Sequence, residues 1–383
     1  MGRVKINPEA LKWARIDAGY DYSNLPNKIK PKFQEWESGI TMPTWNQLCD
    51  ISNYFKRPSA FFFRKNFPEH FKMDLVEYRK LDNVEYQLKS PKLTLSIRDA
   101  VYKRENFLKL MKEMNYPKIS FLNYTLKSND VNLLSDHIRH ILNVDLDEQK
   151  EWLYNNGKKD TAHYNFINHW KDKISEELGV LIFEARDISL DEMRALCVYN
   201  DEYPIILLNS ADSPNARIFS LFHELTHLIL GESAICDVDK NNAKEWLCNA
   251  VAAQFLVPQE DLLKHTIVKN HKGDWTNKEL WDLSNEYGVS RQSLLLRLIN
   301  IHKAPQDIYD SMSKQWDIEF KNKKKKSSGG GSPVLTQVKY NGKLYSTLLL
   351  AAYEKGILSN VEFSQDMGLR LKHLEELSNK IYG

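Results

Sequence analysis

The chain has 383 residues, more than one ordinary core accommodates, so two or three domains are expected. Hydrophobic residues make up 42% and charged residues 27%, the balance of a soluble globular protein, and a formal net charge of +2 names no partner by itself. No segment approaches the ~18 consecutive apolar residues that a bilayer span needs, so a membrane is not expected as a partner. Cys49, Cys197, Cys236 and Cys248 form no Cys-x-x-Cys pair and read as reduced, mostly structural thiols. The start, MGRVKINPEALKW, has no apolar run of signal-peptide length, and the expected location is the cytoplasm.

Residues 1–75 lean basic and read as short helices with tight turns. Asn7-Pro8 starts a helix, with an N-cap followed by Pro at the first position. Gly19 and Gly39 punctuate the turns, and FKRPSAFFF (Phe55–Phe63) closes the segment as an aromatic plug. Residues 76–160 form a polar, helical connector. In it LSDHIRHILNV and EQKEWLYNNG have helical period, and His137 and His140 read as solvated surface histidines. The pattern then changes. GVLIFEA (Gly179–Ala185), RALCVY (Arg194–Tyr199) and YPIILLN (Tyr203–Asn209) are short β-rich runs. Two long helices follow, at about 214–230 and 239–257, and further helices run to about 320. Residues 321–335, with KKKKSSGGGSP at their heart, read as a flexible basic linker. Residues 336–383 read as a small, separate helical unit.

The chemistry sits in SLFHELTHLIL, Ser220–Leu230. Ser213-Pro214 is a helix start and Gly231 a helix stop. Between them His223 and His227 stand four apart, so both rings lie over one helix face, the spacing at which two imidazoles hold one zinc ion. Glu224 is turned about 100° from His223, placed for a water rather than for the ion itself. Leu221, Leu225 and Leu228 form the stripe that anchors the helix in a core. Catalytic zinc takes three protein ligands, so one more donor is required. NNAKEWLCNAVAAQFLVP supplies it: Glu245, Asn249 and Ala252 share a face, with Ala250 and Ala253 beside them. Glu245 reads as the third ligand and Asn249 as a hydrogen-bond support for a ligand. Without the histidine pair, Glu245 would read as a solvated carboxylate at a helix start.

FHELTHLILG followed by EWLCNAVAAQFLVP resembles the ImmA/IrrE family of zinc metallopeptidases, and the likeness covers about residues 120–305. The resemblance implies metal ligands at His223, His227 and Glu245, a general base at Glu224, and a Zn2+ cofactor. Tyr203 and Arg217 are candidate transition-state or substrate contacts, weighed against packing and a salt bridge. The strand Tyr203–Asn209 is expected to offer an edge to an extended substrate.

Residues 11–63 resemble an XRE-type helix-turn-helix at Leu11, Ala14, Gly19, Trp36, Glu37, Gly39, Pro43, Thr44 and Leu48. Lys28, Lys30 and Lys32 are its candidate DNA contacts. Pro26 and Pro31 fall where its two central helices belong, and the stretch before Trp36 is short. Glu279–Ile301 also has helix-turn-helix spacing around Gly288 and reads as packing. Lys323–Lys326 reads as a solvated tether.

The expected fold is α+β and mostly α. It comprises a helical N-terminal module (1–75), the connector (76–160), a zincin-like peptidase domain with a small β-sheet (161–320), the linker (321–335) and the C-terminal unit (336–383). The expected activity is zinc-dependent cleavage of a specific regulatory protein, such as a phage or mobile-element repressor or a stress regulator. The alternative is a DNA-binding regulator or antitoxin-like protein that uses the peptidase fold as sensor or scaffold. DNA through residues 1–75 and a second copy of the chain are admitted as partners besides the protein substrate.

Overall fold

The computed structural model describes residues 2–67, 90–154, 162–232, 234–235, 243–324 and 331–383. Cys236, the four residues 239–242 assigned to the second long helix, and Lys325 and Lys326 of the basic run lie outside them. The chain divides into two compact units, Met1–Tyr102 and Lys103–Gly383. The architecture is α+β and mostly α, as the periodicities predict.

The first unit contains α1 (Pro8–Asp17), α2 (Lys30–Glu37), α3 (Trp45–Phe55), a single-turn segment Ser59–Phe63, and residues 91–102 of α4 (Pro91–Glu113). Asn7 caps α1 by accepting from the Glu9 amide, and Thr44 with Gln47 makes a capping box on α3. Phe33, Trp36, Phe55 and Phe62 are fully buried around Leu11 and Ala14, so part of the aromatic plug is core. The buried carboxylate of Asp17 receives both Arg57 and Arg98, and Arg98 also donates to the Phe55 carbonyl at the end of α3. The unit therefore extends past residue 75, because α4 brings Arg98 to a carboxylate that would otherwise be under-compensated. Residues 20–29 form turns where a helix-turn-helix has its first helix. Pro31 fits at the start of α2, where no backbone donor is needed.

In the second unit, α5 (Val131–Leu142), α6 (Leu146–Tyr154) and α7 (Ala162–Leu178) precede the sheet. Three strands follow: β1 (Leu181–Ala185), β2 (Ala195–Val198) and β3 (Ile205–Asn209). Next come α8 (Pro214–Ile229), the two-residue β4 (Ala234–Ile235) and α9 (Ala243–Leu256). The sheet order is β1-β3-β2-β4, with β1 parallel and β2 antiparallel to β3. β3 is thus paired on both sides and has no edge for a substrate strand, which corrects the sequence expectation. Its near-continuous apolar run, IILL, is the pattern of a strand covered on both faces.

The short α10 (Gln259–Lys264) and α11 (Thr266–Asn270) lead to α12 (Asn277–Tyr287), α13 (Arg291–Asn300) and α14 (Ile308–Lys324). The α12–α13 turn is a packing device. A Cβ at Gly288, where φ is +72°, would lie 2.2 Å from the Phe166 ring of α7. The Val289 carbonyl beside it accepts from Asn215 in the first turn of α8.

The last helices are α15 (Pro333–Asn341), α16 (Lys343–Glu354), α17 (Asn360–Met367) and α18 (Leu374–Tyr382). They do not stand apart. Leu181 bonds towards β3 through its donation to the Pro204 carbonyl, so in the alternating parallel ladder the Ile182 carbonyl points outward from the sheet. Gly342 sits on that carbonyl: at φ +73°, ψ 151° its backbone is in a region open to glycine alone, and a Cβ would come within 2.4 Å of the oxygen. Phe183, on the face of β1 away from α8, meets Tyr345 of α16 edge-on, with ring centroids 6.1 Å apart. The C-terminal helices therefore cover the rim and the second face of β1.

Candidate metal centre

Helix α8 is set by its ends. Ser213 accepts from the Ala216 amide, Pro214 occupies the first turn, and Gly231 at φ +77° closes the other end on the Leu228 carbonyl. Ile218, Leu221, Phe222, Leu225, Leu228 and Ile229 are buried in the core of the unit, which fixes the rotation of the helix. Phe222 stacks on Phe255 of α9 with centroids 4.2 Å apart, and Trp170 of α7 meets both rings edge-on. This aromatic trio sets the separation of α8 and α9. The carbonyls at the end of α9 are also occupied: Arg139 donates to Phe255, Gln149 to Leu256, and Arg297 to Val257.

The histidines and Glu245 converge as a result. The two Nε2 atoms of His223 and His227 lie 3.1 Å apart. One Glu245 oxygen is 3.2 Å from His223 Nε2 and the other 3.2 Å from His227 Nε2. A tetrahedral zinc with bonds of about 2.0 Å needs ligand atoms about 3.3 Å apart. Two imidazole nitrogens and a carboxylate at this spacing fit zinc in donor type and in size. Asn249 Oδ1 lies 3.0 Å from His223 Nδ1; an amide oxygen only accepts, so Nδ1 carries the hydrogen and Nε2 presents its lone pair to the centre.

His223, Glu224 and His227 are buried, while Glu245 keeps about a fifth of its side chain exposed and opens the centre to solvent. In the metal-free chain, burial disfavours a charged Glu245, but its close contacts with the imidazoles of His223 and His227 outweigh it and hold the carboxyl well below the usual range. Burial likewise works against a charged His223, yet the bond to Glu245 and the Glu224 charge raise its pKa above that of a free imidazole. Glu224 is fully buried next to the pair. The thiol of Cys248 on α9 is pushed far up, first by burial and then by the charges of Glu245 and Glu224, so it stays a neutral, packed thiol.

The other candidate residues lie elsewhere. Tyr203 is buried against Phe107, its hydroxyl accepting from the Ile119 amide, at the turn before β3. That placement makes it a packing residue. Arg217, at the start of α8, donates to Glu184 of β1 at 2.7 Å. Glu184 is fully buried and also receives Lys171 of α7 at 2.9 Å and Lys339 of α15 at 3.4 Å. Burial alone would raise the Glu184 pKa; the three cations outweigh it and lower it. Sequence reading missed this cluster, as it missed the aromatic trio. Lys28 is engaged by Asp50 and Lys30 by the Ser23 carbonyl, while Lys32 is exposed. His137 is not solvated as expected; it is half-buried and bonded to the Tyr124 carbonyl.

The helix that carries HELTH thus packs against a small mixed sheet, and the next helix adds the Glu245 carboxylate beside its histidines. Residues 175–298 match the peptidase family model described as the IrrE N-terminal-like domain. Over 149 residues the chain is 31% identical to the radiation response metalloprotease IrrE of Deinococcus deserti, a stretch that is 36% of this chain and 48% of that protein. The chain thus spans about half the length of this curated relative. At the level of family, the likeness is to metallopeptidases. No helix among the described residues is long and apolar enough to cross a membrane.

Proposed function

We propose that the protein is a zinc-dependent endopeptidase of the cytoplasm that cuts a specific regulatory protein, such as a phage or mobile-element repressor or a stress regulator. The observation that carries this reading is the convergence of His223, His227 and Glu245, whose donor atoms meet pairwise at 3.1 and 3.2 Å, beside the buried Glu224. Zinc held by these three residues would polarise a carbonyl and bring the pKa of a water towards ~7. Asn249 keeps the His223 ring in the tautomer that offers Nε2. Glu224 accepts the proton of the attacking water and returns it to the leaving amine.

The test is proteome-wide mass spectrometry of new N-termini in cells carrying wild type or Glu224→Gln. The expected result is one or a few cuts made by wild type and slowed by about a thousandfold in the variant, at unchanged zinc content. Full biological effect from Glu224→Gln would sink the hydrolytic reading. It would favour a DNA-binding regulator that acts through residues 1–75.

A further inference from the structure

Arg139, in the last turn of α5, is a half-buried cation whose hydrogen bonds all go to neutral oxygens. It donates to the Val144 carbonyl at 3.2 Å, to the Gln149 side chain of α6 at 2.7 Å, and to the Phe255 carbonyl at the end of α9. Asp136 and Asp145 act on it only at a distance, and burial pushes its pKa down to about 10, so it keeps its charge near neutrality. Taking a guanidinium out of water with no anion against it is costly. Two contacts offset that cost, and both are with one residue. The carbonyl end of α9 carries partial negative charge, and the guanidinium lies over the Phe255 ring, 4.2 Å from its centroid.

Phe255 in turn stacks on Phe222, centroids 4.2 Å apart, and Phe222 immediately precedes His223 on α8. Arg139 therefore holds the ring and the backbone of the one α9 residue that meets α8 beside the metal ligands. A helix is stiff along its hydrogen-bonded length, so a slide or turn of α9 at Phe255 reappears at Glu245, on the same helix. The tolerance there is small, because both Glu245 oxygens stand 3.2 Å from histidine nitrogens of α8. Arg297 provides an internal comparison. It is also a buried arginine at the end of α9, but its contacts are the Val257 carbonyl and the Gln254 side chain rather than the Phe255 ring.

We infer that Arg139 is a positioning residue for the metal centre: by gripping Phe255 it sets where Glu245 of α9 meets the histidines of α8. This inference deepens the peptidase reading and rests on it for the metal.

The test makes one chemical change at two places in the full-length chain, Arg139→Lys and Arg297→Lys. Lysine keeps the charge and a donor for the helix end but loses the planar group that lies on the ring. Zinc affinity is read by chelator competition, and the visible band of the cobalt(II)-loaded chain reports tetrahedral coordination. The expected result is that Arg139→Lys weakens zinc binding about tenfold and dims the cobalt band, while Arg297→Lys leaves both as in wild type. Phe255→Leu, which removes the ring, should reproduce the Arg139→Lys result, so the test stands even where Arg139→Lys fails to fold. Equal effects at Arg139 and Arg297 overturn the inference, by reducing both to capping of a helix end. So does an Arg139→Lys chain that melts earlier yet keeps wild-type zinc affinity and cobalt band. A wild-type chain that takes up neither metal sinks the metallopeptidase reading itself, whereas wild-type uptake matched by Arg139→Lys sinks this inference alone.

Discussion

Helix α8 carries two polar clusters, one near each end, and they are built on opposite principles. Near its start, Arg217 joins Lys171 and Lys339 around Glu184, so the charged groups compensate one another within the fold. Near its end, His223 and His227 join Glu245, so electron-pair donors converge on one point. The first arrangement draws on four separated elements, α7, β1, α8 and α15, and ties the sheet to the helices on it. The second draws on two adjacent helices and leaves one donor partly open to solvent. Burial and charge are common to both and do not distinguish structure from chemistry. What distinguishes them is whether the groups satisfy each other or share a target.

The contrast predicts separable effects. The largest is expected for His223→Ala, which should weaken zinc binding by at least about a thousandfold in chelator competition while urea unfolding of the metal-free chain changes little. Equal loss of zinc affinity and fold stability would erase the distinction. Glu184→Gln should do the reverse. It leaves the buried Arg217 and Lys171 and the partly exposed Lys339 without their carboxylate and is expected to cost about 3–5 kcal/mol in urea unfolding, with zinc still bound by the folded fraction. The pH dependence follows in sign. The folded pKa of Glu184 lies below its unfolded value, so its contribution is fully present above the ordinary carboxylate range and is lost as pH falls through the lowered value. Acid unfolding should therefore be less steep in Glu184→Gln than in wild type. A smaller effect is expected from Asn249→Ala, which frees the His223 ring and should lower zinc affinity about 10–100-fold without a change in melting temperature. Gly342→Ala leaves both clusters intact and is expected to act on stability alone. The strained backbone and the contact with Ile182 should cost about 1–3 kcal/mol in thermal unfolding, and an unchanged melting curve would show that the C-terminal helices do not bear on β1.

The two clusters were also unequally legible in the sequence. The histidine pair is a five-residue pattern on one helix, and Glu245 lies on the next helix in the chain, so helical spacing brings all three into view. The Glu184 cluster joins residues as far apart as Lys171 and Lys339, 168 positions away, and each alone is an ordinary surface charge. Only the sheet topology unites them. The same limit misplaced the C-terminal helices. A Lys, Gly and Ser run reads as a tether between independent bodies, and nothing local in Tyr345 or Gly342 announces β1. A hint was present in LIFEA and IILLN, whose apolar runs lack the alternation of a half-exposed sheet and so require cover on the second face. In the N-terminal unit, Pro31 sits in the first turn of α2, which tolerates it, whereas Pro26 resists the interior of a helix. The structure answers with turns at residues 20–29.

The seat of Gly342 on the Ile182 carbonyl bears on how the chain can be divided. The family match ends at residue 298, well before α15. A fragment trimmed to those limits would bare a ribbon of amide and carbonyl groups along one border of the sheet, ready to zip onto its own copies and come out of solution as aggregate.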